Sequence, residues 1–286
     1  MNIYQPSFFA EADRLAKLTK LKDPLEALKP HIDFEILRPQ LQAVFNKDRK
    51  SAAGRKAYEA VLVFKILILQ RLYNLSDEQI EFQINDRQSF QRFLGLHLGH
   101  AVPGFFTVWL FREALTEAEA IKPLFDTYAA ILVKQGVVTK AGTIIDASFV
   151  EVPRQRNTRE ENEMIKEGKT PLGWASQPHK LSQKDLDSRW TKKNQETFYG
   201  HKNHIRADAD LVIITGYTVT DAAVHDSQTL PALIGPQNKN ENLFADSAYK
   251  SAKTDAQLAE LGLTNYIHEK GARNRSLNTL HQEFNR

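Results

Sequence analysis

The 286-residue sequence contains no cysteine, which excludes disulfide bonds, thiolate metal ligands and a thiol nucleophile and fits a reducing compartment such as the cytoplasm. It also lacks an apolar run long enough to span a bilayer. The most hydrophobic stretch, Ala60 to Leu69, is interrupted by Lys65 and followed by Gln70 and Arg71, well short of the roughly 20 apolar residues a membrane helix needs. No export signal is read at the amino terminus, where Glu11, Asp13 and Arg14 follow closely on Phe8 and Phe9. Nor does charge of one sign dominate. The 38 Lys and Arg stand against 35 Asp and Glu, a formal charge of +3, so any affinity for nucleic acid has to be argued from where the basic residues fall. With 42% hydrophobic residues the chain can bury one large core or two modest ones, and two domains are expected.

From about Ile3 to Gln135 the hydrophobic spacing is helical. Ile121, Leu124, Phe125, Tyr128 and Leu132 recur at three- and four-residue intervals and make one apolar stripe, which Gly136 ends. Ser76 and Gln79 have the spacing of a capping box, so a helix through Ile80 and Ile84 follows the apolar helix around Phe64 to Leu72. The pair reads as a helical hairpin or helix-turn-helix. After Gly142 the character changes. Thr143, Ile144 and Ile145 form a β-branched run ending in Asp146, Phe198 to Ile205 and Leu211 to Thr220 read as an antiparallel hairpin around Asp208-Ala209-Asp210, and Leu243-Phe244 leads to Asp246. Helices are expected over Asp226 to Ile234 and Ser251 to Leu261, and a last strand over Asn265 to His268. The expectation is therefore an all-helical domain over residues 1–136 and an α/β domain over 137–286, the latter interrupted by a polar, partly disordered insertion at about 154–194.

Asp146 and Asp246 each follow a short apolar strand. On neighbouring strands of one sheet their carboxylates converge although about 100 residues separate them, and hard oxygen ligands so placed suit Mg²⁺ or Mn²⁺. Each taken alone also reads as a turn or helix cap.

Six strings occur here in order: YNLSDEQIEFQINDRQSFQRFLGL and WLFREAL in the helical half, then TIIDASFVEVP, FYGHKNHIRAD, VTDAAVHDSQTLPAL and FADSAYKS. Together they resemble the insertion-sequence-five transposases, from about Ala57 onward. The resemblance implies a ribonuclease-H-like mixed sheet with flanking helices behind a helical DNA-binding domain. It implies that Asp146 and Asp246 are the first two of three acidic metal ligands, with Mg²⁺ or Mn²⁺ as cofactor. The implied chemistry is phosphoryl transfer in two steps, water cutting DNA at the element's terminal inverted repeats and the freed 3′-hydroxyl then attacking target DNA. It further implies a homo-oligomer, because two ends are joined. The family's third acid, a glutamate in an arginine-rich string, has no match among Asp255, Glu260, Glu269 and Glu283. The expectation is a chain ending before that acid, inactive by itself, with a sheet domain incomplete at its carboxyl end. Where the family commonly has aspartate after a proline, Gly104 follows Pro103, leaving Thr107 as the expected cap of the next helix.

DNA contacts are expected on Lys202, His204 and Arg206, which alternate along one strand and so share a face. The basic residues of the insertion, with Lys192 and Lys193 at its end and Trp174 and Trp190 among them, offer phosphate and stacking contacts or a solvated linker. His225 and Asp226 line the metal site from behind, or Asp226 caps the next helix. Two other readings stay open: a ribonuclease-H-like nuclease or resolvase, and a non-catalytic remnant that occupies element ends and represses transposition.

Overall fold

The computed structural model describes residues 9–45, 57–97, 99–193, 195–271 and 276–285. Ile3, where the helical periodicity begins, and Asn194, where the polar insertion ends, lie outside the described residues. The chain divides into two compact units, Met1–Tyr128 and Ala129–Arg286.

The first unit is helical: α1 (Ala10–Lys20), α2 (Pro24–Leu28), α3 (Arg38–Phe45), α4 (Ala60–Leu72), α5 (Asp77–Asp86), α6 (Gln88–Leu94), α7 (Phe105–Glu117) and the start of α8 (Ile121–Lys134). Helix α4 is apolar on most sides because it is central, burying Val61, Val63, Ile66 and Leu69. The capping box at the start of α5 is present: Ser76 Oγ accepts from the Gln79 amide at 3.2 Å, and Gln79 Oε1 accepts from the Ser76 amide at 2.9 Å. Ile80 and Ile84, four residues apart, are fully buried from this helix. Asp77, on its first turn, takes a two-pronged contact from Arg112 of α7, with nitrogen–oxygen distances of 2.9 and 2.7 Å, and a further hydrogen bond from Gln70 of α4 at 2.6 Å. The Arg112 guanidinium lowers the Asp77 carboxyl from its ordinary value. One ion pair thus joins three helices.

The Pro103-Gly104 corner is not closed by Thr107, which lies inside α7. Glu81 of α5 reaches across, and its Oε2 accepts from the Phe105 amide at 2.8 Å. A carboxylate still satisfies the helix start, but it comes from a neighbouring helix.

The second unit carries a six-stranded mixed sheet: β1 (Gly142–Glu151), β2 (Arg189–Lys193), β3 (Glu196–Asp208), β4 (Ile214–Asp221), β5 (Asn242–Ala245) and β6 (Thr264–Ile267). The order is β2-β3-β1-β5-β6, with β4 also on β3. Pairing among β1 to β4 is antiparallel, whereas β5 and β6 run parallel to β1. Helices α9 (Arg159–Lys166) and α10 (Pro178–Leu181) lie between β1 and β2, α11 (Leu230–Leu233) between β4 and β5, α12 (Ala252–Leu261) before β6, and α13 (Thr279–Phe284) after it. This is the ribonuclease-H-like arrangement that the resemblance implied. The hairpin turn forms as read, Asp208 Oδ2 accepting from the amides of Asp210 and Leu211. The helix expected over Asp226 to Ile234 is instead a 3₁₀ turn, Asp226–Gln228, followed by α11. Pro231 sits in the first turn of α11 and has no amide with which to continue the earlier turn. Ile145, Leu230, Leu243, Tyr249, Leu258 and Ile267 form the core on one side of the sheet.

Over residues 154–193 the polar insertion is ordered. A capping box at Thr158 starts α9, and Trp174, only 1% exposed, is the core around which the segment folds. Its indole N–H donates to Glu161 Oε1 at 2.7 Å, and the Lys180 and Lys184 amines lie 4.8 and 5.3 Å from its ring centre. Its end is strand β2, pairing Arg189–Lys193 with Gly200–Glu196 of β3. Trp174→Ala should cost the insertion about 3–5 kcal/mol. Trypsin is then expected to nick residues 154–188 in the variant under conditions that leave the wild type intact; equal cleavage rates would contradict this packing.

Candidate active site

The parallel ladder between β1 and β5 pairs Gly142 with Asn242, Thr143 with Leu243, Ile144 with Phe244 and Ile145 with Ala245. Asp146 and Asp246 are the next residues on each strand, and parallel neighbours lie about 4.8 Å apart. Ile145 and Ala245 are buried while both acids are exposed, as alternation requires when the preceding pair faces the core. The strand-end placement holds for Asp246 only. Strand β1 runs on to Glu151, paired beyond Asp146 with β3 alone, so Asp146 sits mid-strand where the other side of β1 loses its partner. That open side is the space in front of Asp246.

Two features set this register. Gly142 has no room for a side chain: a Cβ there would lie 2.9 Å from the Phe244 ring and 3.2 Å from the Asn242 carbonyl oxygen. Behind the ladder, Thr143 Oγ1 donates to buried Glu241 Oε2, which also accepts from Asn238 Nδ2 at 2.9 Å. A buried carboxylate with two donors ties the start of β5 to β1.

Each aspartate uses one oxygen locally. Asp146 Oδ1 accepts from the Ala147 amide at 2.8 Å; Asp246 Oδ1 accepts from the Ala248 amide at 3.0 Å, capping the 3₁₀ turn Ser247–Tyr249. The second oxygen of each has no protein donor among the described residues. Two hard carboxylate oxygens side by side fit a divalent cation of the Mg²⁺ or Mn²⁺ kind. Among the described residues no group of three or more acidic or histidine side chains is placed to share one ion. Of the later acids, Asp255 and Glu269 contact Lys250 at 3.4 and 3.0 Å, and Glu283 is exposed on α13.

Lys202, His204 and Arg206 do share a face of β3, opposite Phe149, Ala147 and Ile145, but it is the covered face, so the open cationic row expected from the sequence is corrected. The segment from Val224 to Asn238 lies over them. Lys202, 8% exposed, donates to the Val224 carbonyl at 2.7 Å and to Asp226 Oδ1 at 2.9 Å. His204 is fully buried between Thr220 and Thr229, its ring nitrogens 3.0 and 3.2 Å from their hydroxyls. Arg206 donates to the Leu233 carbonyl at 2.7 Å and the Thr215 carbonyl at 2.8 Å. Asp226 is therefore the counter-ion of Lys202, while the cap of its 3₁₀ turn is His225, whose Nδ1 accepts from the Ser227 amide. His225 is exposed. Lys192 and Lys193 are exposed on β2; Lys193 lies 5.8 Å over the Phe149 ring, and Arg154 lies 5.4 Å over half-exposed Trp190.

Three residues of this site were not singled out from the sequence: Glu241 and Asn238, which pin the ladder to Thr143, and Tyr249. Only Tyr249 carried a signal, its place in the string FADSAYKS.

Two family models match the chain: the transposase domain DUF772 over residues 13–114 and the transposase DDE domain over residues 139–286. No solved structure matches the chain. The second match takes in more than half of the chain, both aspartates and every strand, and the protein belongs to the DDE transposase family. Membership carries a transposase function, action on DNA and dependence on a divalent cation. Among the described residues no helix is long and apolar enough to cross a membrane.

Burial lowers the His204 imidazole below its ordinary 6.5; the attraction of Asp226 does not reverse this, and repulsion from Lys202 adds to it. The native state keeps it neutral. An unfolded chain takes up the proton near 6.5, so this contribution to stability is complete above that pH and is lost as pH falls through the lowered native value. Thermal melting of the wild type should drop more steeply than that of His204→Gln as the pH is lowered from 6.5. Parallel pH profiles would contradict a neutral buried His204.

Proposed function

We propose that this chain is an insertion-sequence transposase of the insertion-sequence-five type, which cuts and joins DNA at the terminal inverted repeats and in which Asp146 and Asp246 together would hold the divalent cation. The observation that carries this reading is the register of β1 on β5, which sets the two acids side by side on an open strand edge. When bound by Asp146 and Asp246, Mg²⁺ or Mn²⁺ would supply the positive charge that favours the attacking and leaving oxygens. The chain's own residues hold and orient the ion and the DNA. The two aspartates supply negative oxygen ligands, the Lys202–Asp226 pair behind them keeps a third carboxylate neutralised, and the exposed edge of β2 supplies cations for phosphate. Within this reading Lys192 and Lys193 contact the DNA backbone, and the helical unit that matches the DUF772 model reads the element's ends. Two ends are joined, so the active form is a homo-oligomer, working in the cytoplasm where the element's DNA lies.

Within this reading the 286 residues are expected to bind element ends in the presence of the cation. The test uses labelled DNA with and without the terminal repeats, in Mg²⁺. Retention of end DNA is expected, and Lys192→Ala with Lys193→Ala should lower the steepness of log affinity against log salt by about 1.8, since each phosphate contact contributes about 0.9. Equal affinity for unrelated DNA, or a salt slope unmoved by the double variant, would contradict these assignments. Metal-dependent cutting without joining would favour a nuclease or resolvase.

A further inference from the structure

The Tyr249 ring has a structural role that its hydroxyl does not share. The ring is fully buried in the core of the second unit, and phenylalanine would fill the same space. The hydroxyl oxygen is buried as well, without a hydrogen-bond partner. A desolvated, unpaired hydroxyl opposes folding, so stability alone favours phenylalanine at this position.

Its surroundings point to a ligand. The turn that ends in Tyr249 starts at Asp246, whose carbonyl accepts from the Tyr249 amide at 3.2 Å, and it packs against the turn Asp226–Gln228. Asp146 stands beside Asp246 across the ladder. After burial itself, the negative charges of Asp226, Asp246 and Asp146 are what raise the phenol above its ordinary value. The hydroxyl thus lies in the field of three carboxylates, yet none accepts from it. Asp226 Oδ1 is taken by Lys202, and Asp146 and Asp246 each have an oxygen on a backbone amide. A donor held among acids and left unpaired matches an acceptor that does not belong to the polypeptide.

We infer that Tyr249 is a positioning residue of the Asp146–Asp246 site, its hydroxyl donating a hydrogen bond to the oxygen shell of the divalent cation those aspartates hold. The inference rests on reading the two aspartates as cation ligands. With the ion bound, its positive charge offsets the acids around the phenol and its hydration shell supplies the missing acceptor, so the strain of the unpaired hydroxyl is released on binding.

The test is Mn²⁺ titration of the full chain, with free ion read by electron paramagnetic resonance, on the wild type, Tyr249→Phe and Asp146→Asn. Tyr249→Phe should weaken Mn²⁺ binding about tenfold while melting, without metal, at or above the wild-type temperature. Adding Mg²⁺ should also give the wild type a tyrosine ultraviolet difference spectrum that Tyr249→Phe lacks. If Asp146→Asn loses Mn²⁺ but Tyr249→Phe binds as the wild type does, the role of the hydroxyl is overturned and the aspartate reading stands. If Asp146→Asn binds Mn²⁺ as well as the wild type, the aspartate reading falls and the inference with it.

Discussion

The four-residue parallel ladder between β1 and β5 is the constraint on which the rest of the second unit depends. A strand can be displaced by one residue at little cost in backbone hydrogen bonds, but every side chain then changes face. In this ladder a slip would turn Ile145 or Ala245 outward and carry one aspartate into the core. The chain opposes that slip with steric and polar devices. Gly142 admits no side chain against Phe244, and Glu241, buried behind the ladder, is satisfied only when Thr143 and Asn238 both reach it. The apolar surface of Ile145, Leu243 and Ile267 on the core face adds a non-directional force toward the same register.

From that ladder the site's electrostatics follow. Three acids, Asp146, Asp246 and Asp226, act on one buried phenol, and of the three only Asp226 has an ion-pair partner among the described residues, Lys202 beneath it. Removing a single partner from such a buried pair leaves a charge stranded, which costs more than the pair contributes. Lys202 is therefore better understood as part of the floor of the site than as a surface for DNA. His204 continues that floor through Thr229, whose hydroxyl also reaches the Asp226 carbonyl at 2.7 Å. Lys202 and His204 of β3 are internal struts that fix the Asp226 turn, while Lys192 and Lys193 of β2 are exposed.

Much of this was legible in the sequence, for identifiable reasons. Local signals were reliable: the capping box at Ser76, the β-branched run before Asp146, the Asp208 turn and the glycine that ends α8 depend on neighbours in the chain. The buried face before each acid was legible because the apolar residues Ile145 and Ala245 define it, but the end of the strand was read correctly only at Asp246, since β1 runs on to Glu151. What failed needed knowledge of distant partners. Alternation put Lys202, His204 and Arg206 on one face, but nothing in FYGHKNHIRAD shows that residues 224–238 cover it. The insertion looked like solvated polar chain because its core is essentially one aromatic, Trp174, roofed by two lysines whose stems count as polar in any composition. The register pins and the cross-helix cap by Glu81 join residues far apart in sequence, where periodicity carries no information.

The central claim is that the side chains at positions 146 and 246 converge, and the absence of native cysteine permits a direct measurement. In the double variant Asp146→Cys with Asp246→Cys, the introduced thiols would sit on adjacent parallel strands, within the roughly 4.4–6.8 Å Cα separation that a disulfide spans. Mild oxidation followed by mass spectrometry of the intact chain and its peptides should show one intramolecular 146–246 disulfide in nearly every molecule. Two free thiols persisting under the same oxidation, with the fold intact by circular dichroism, would contradict the account.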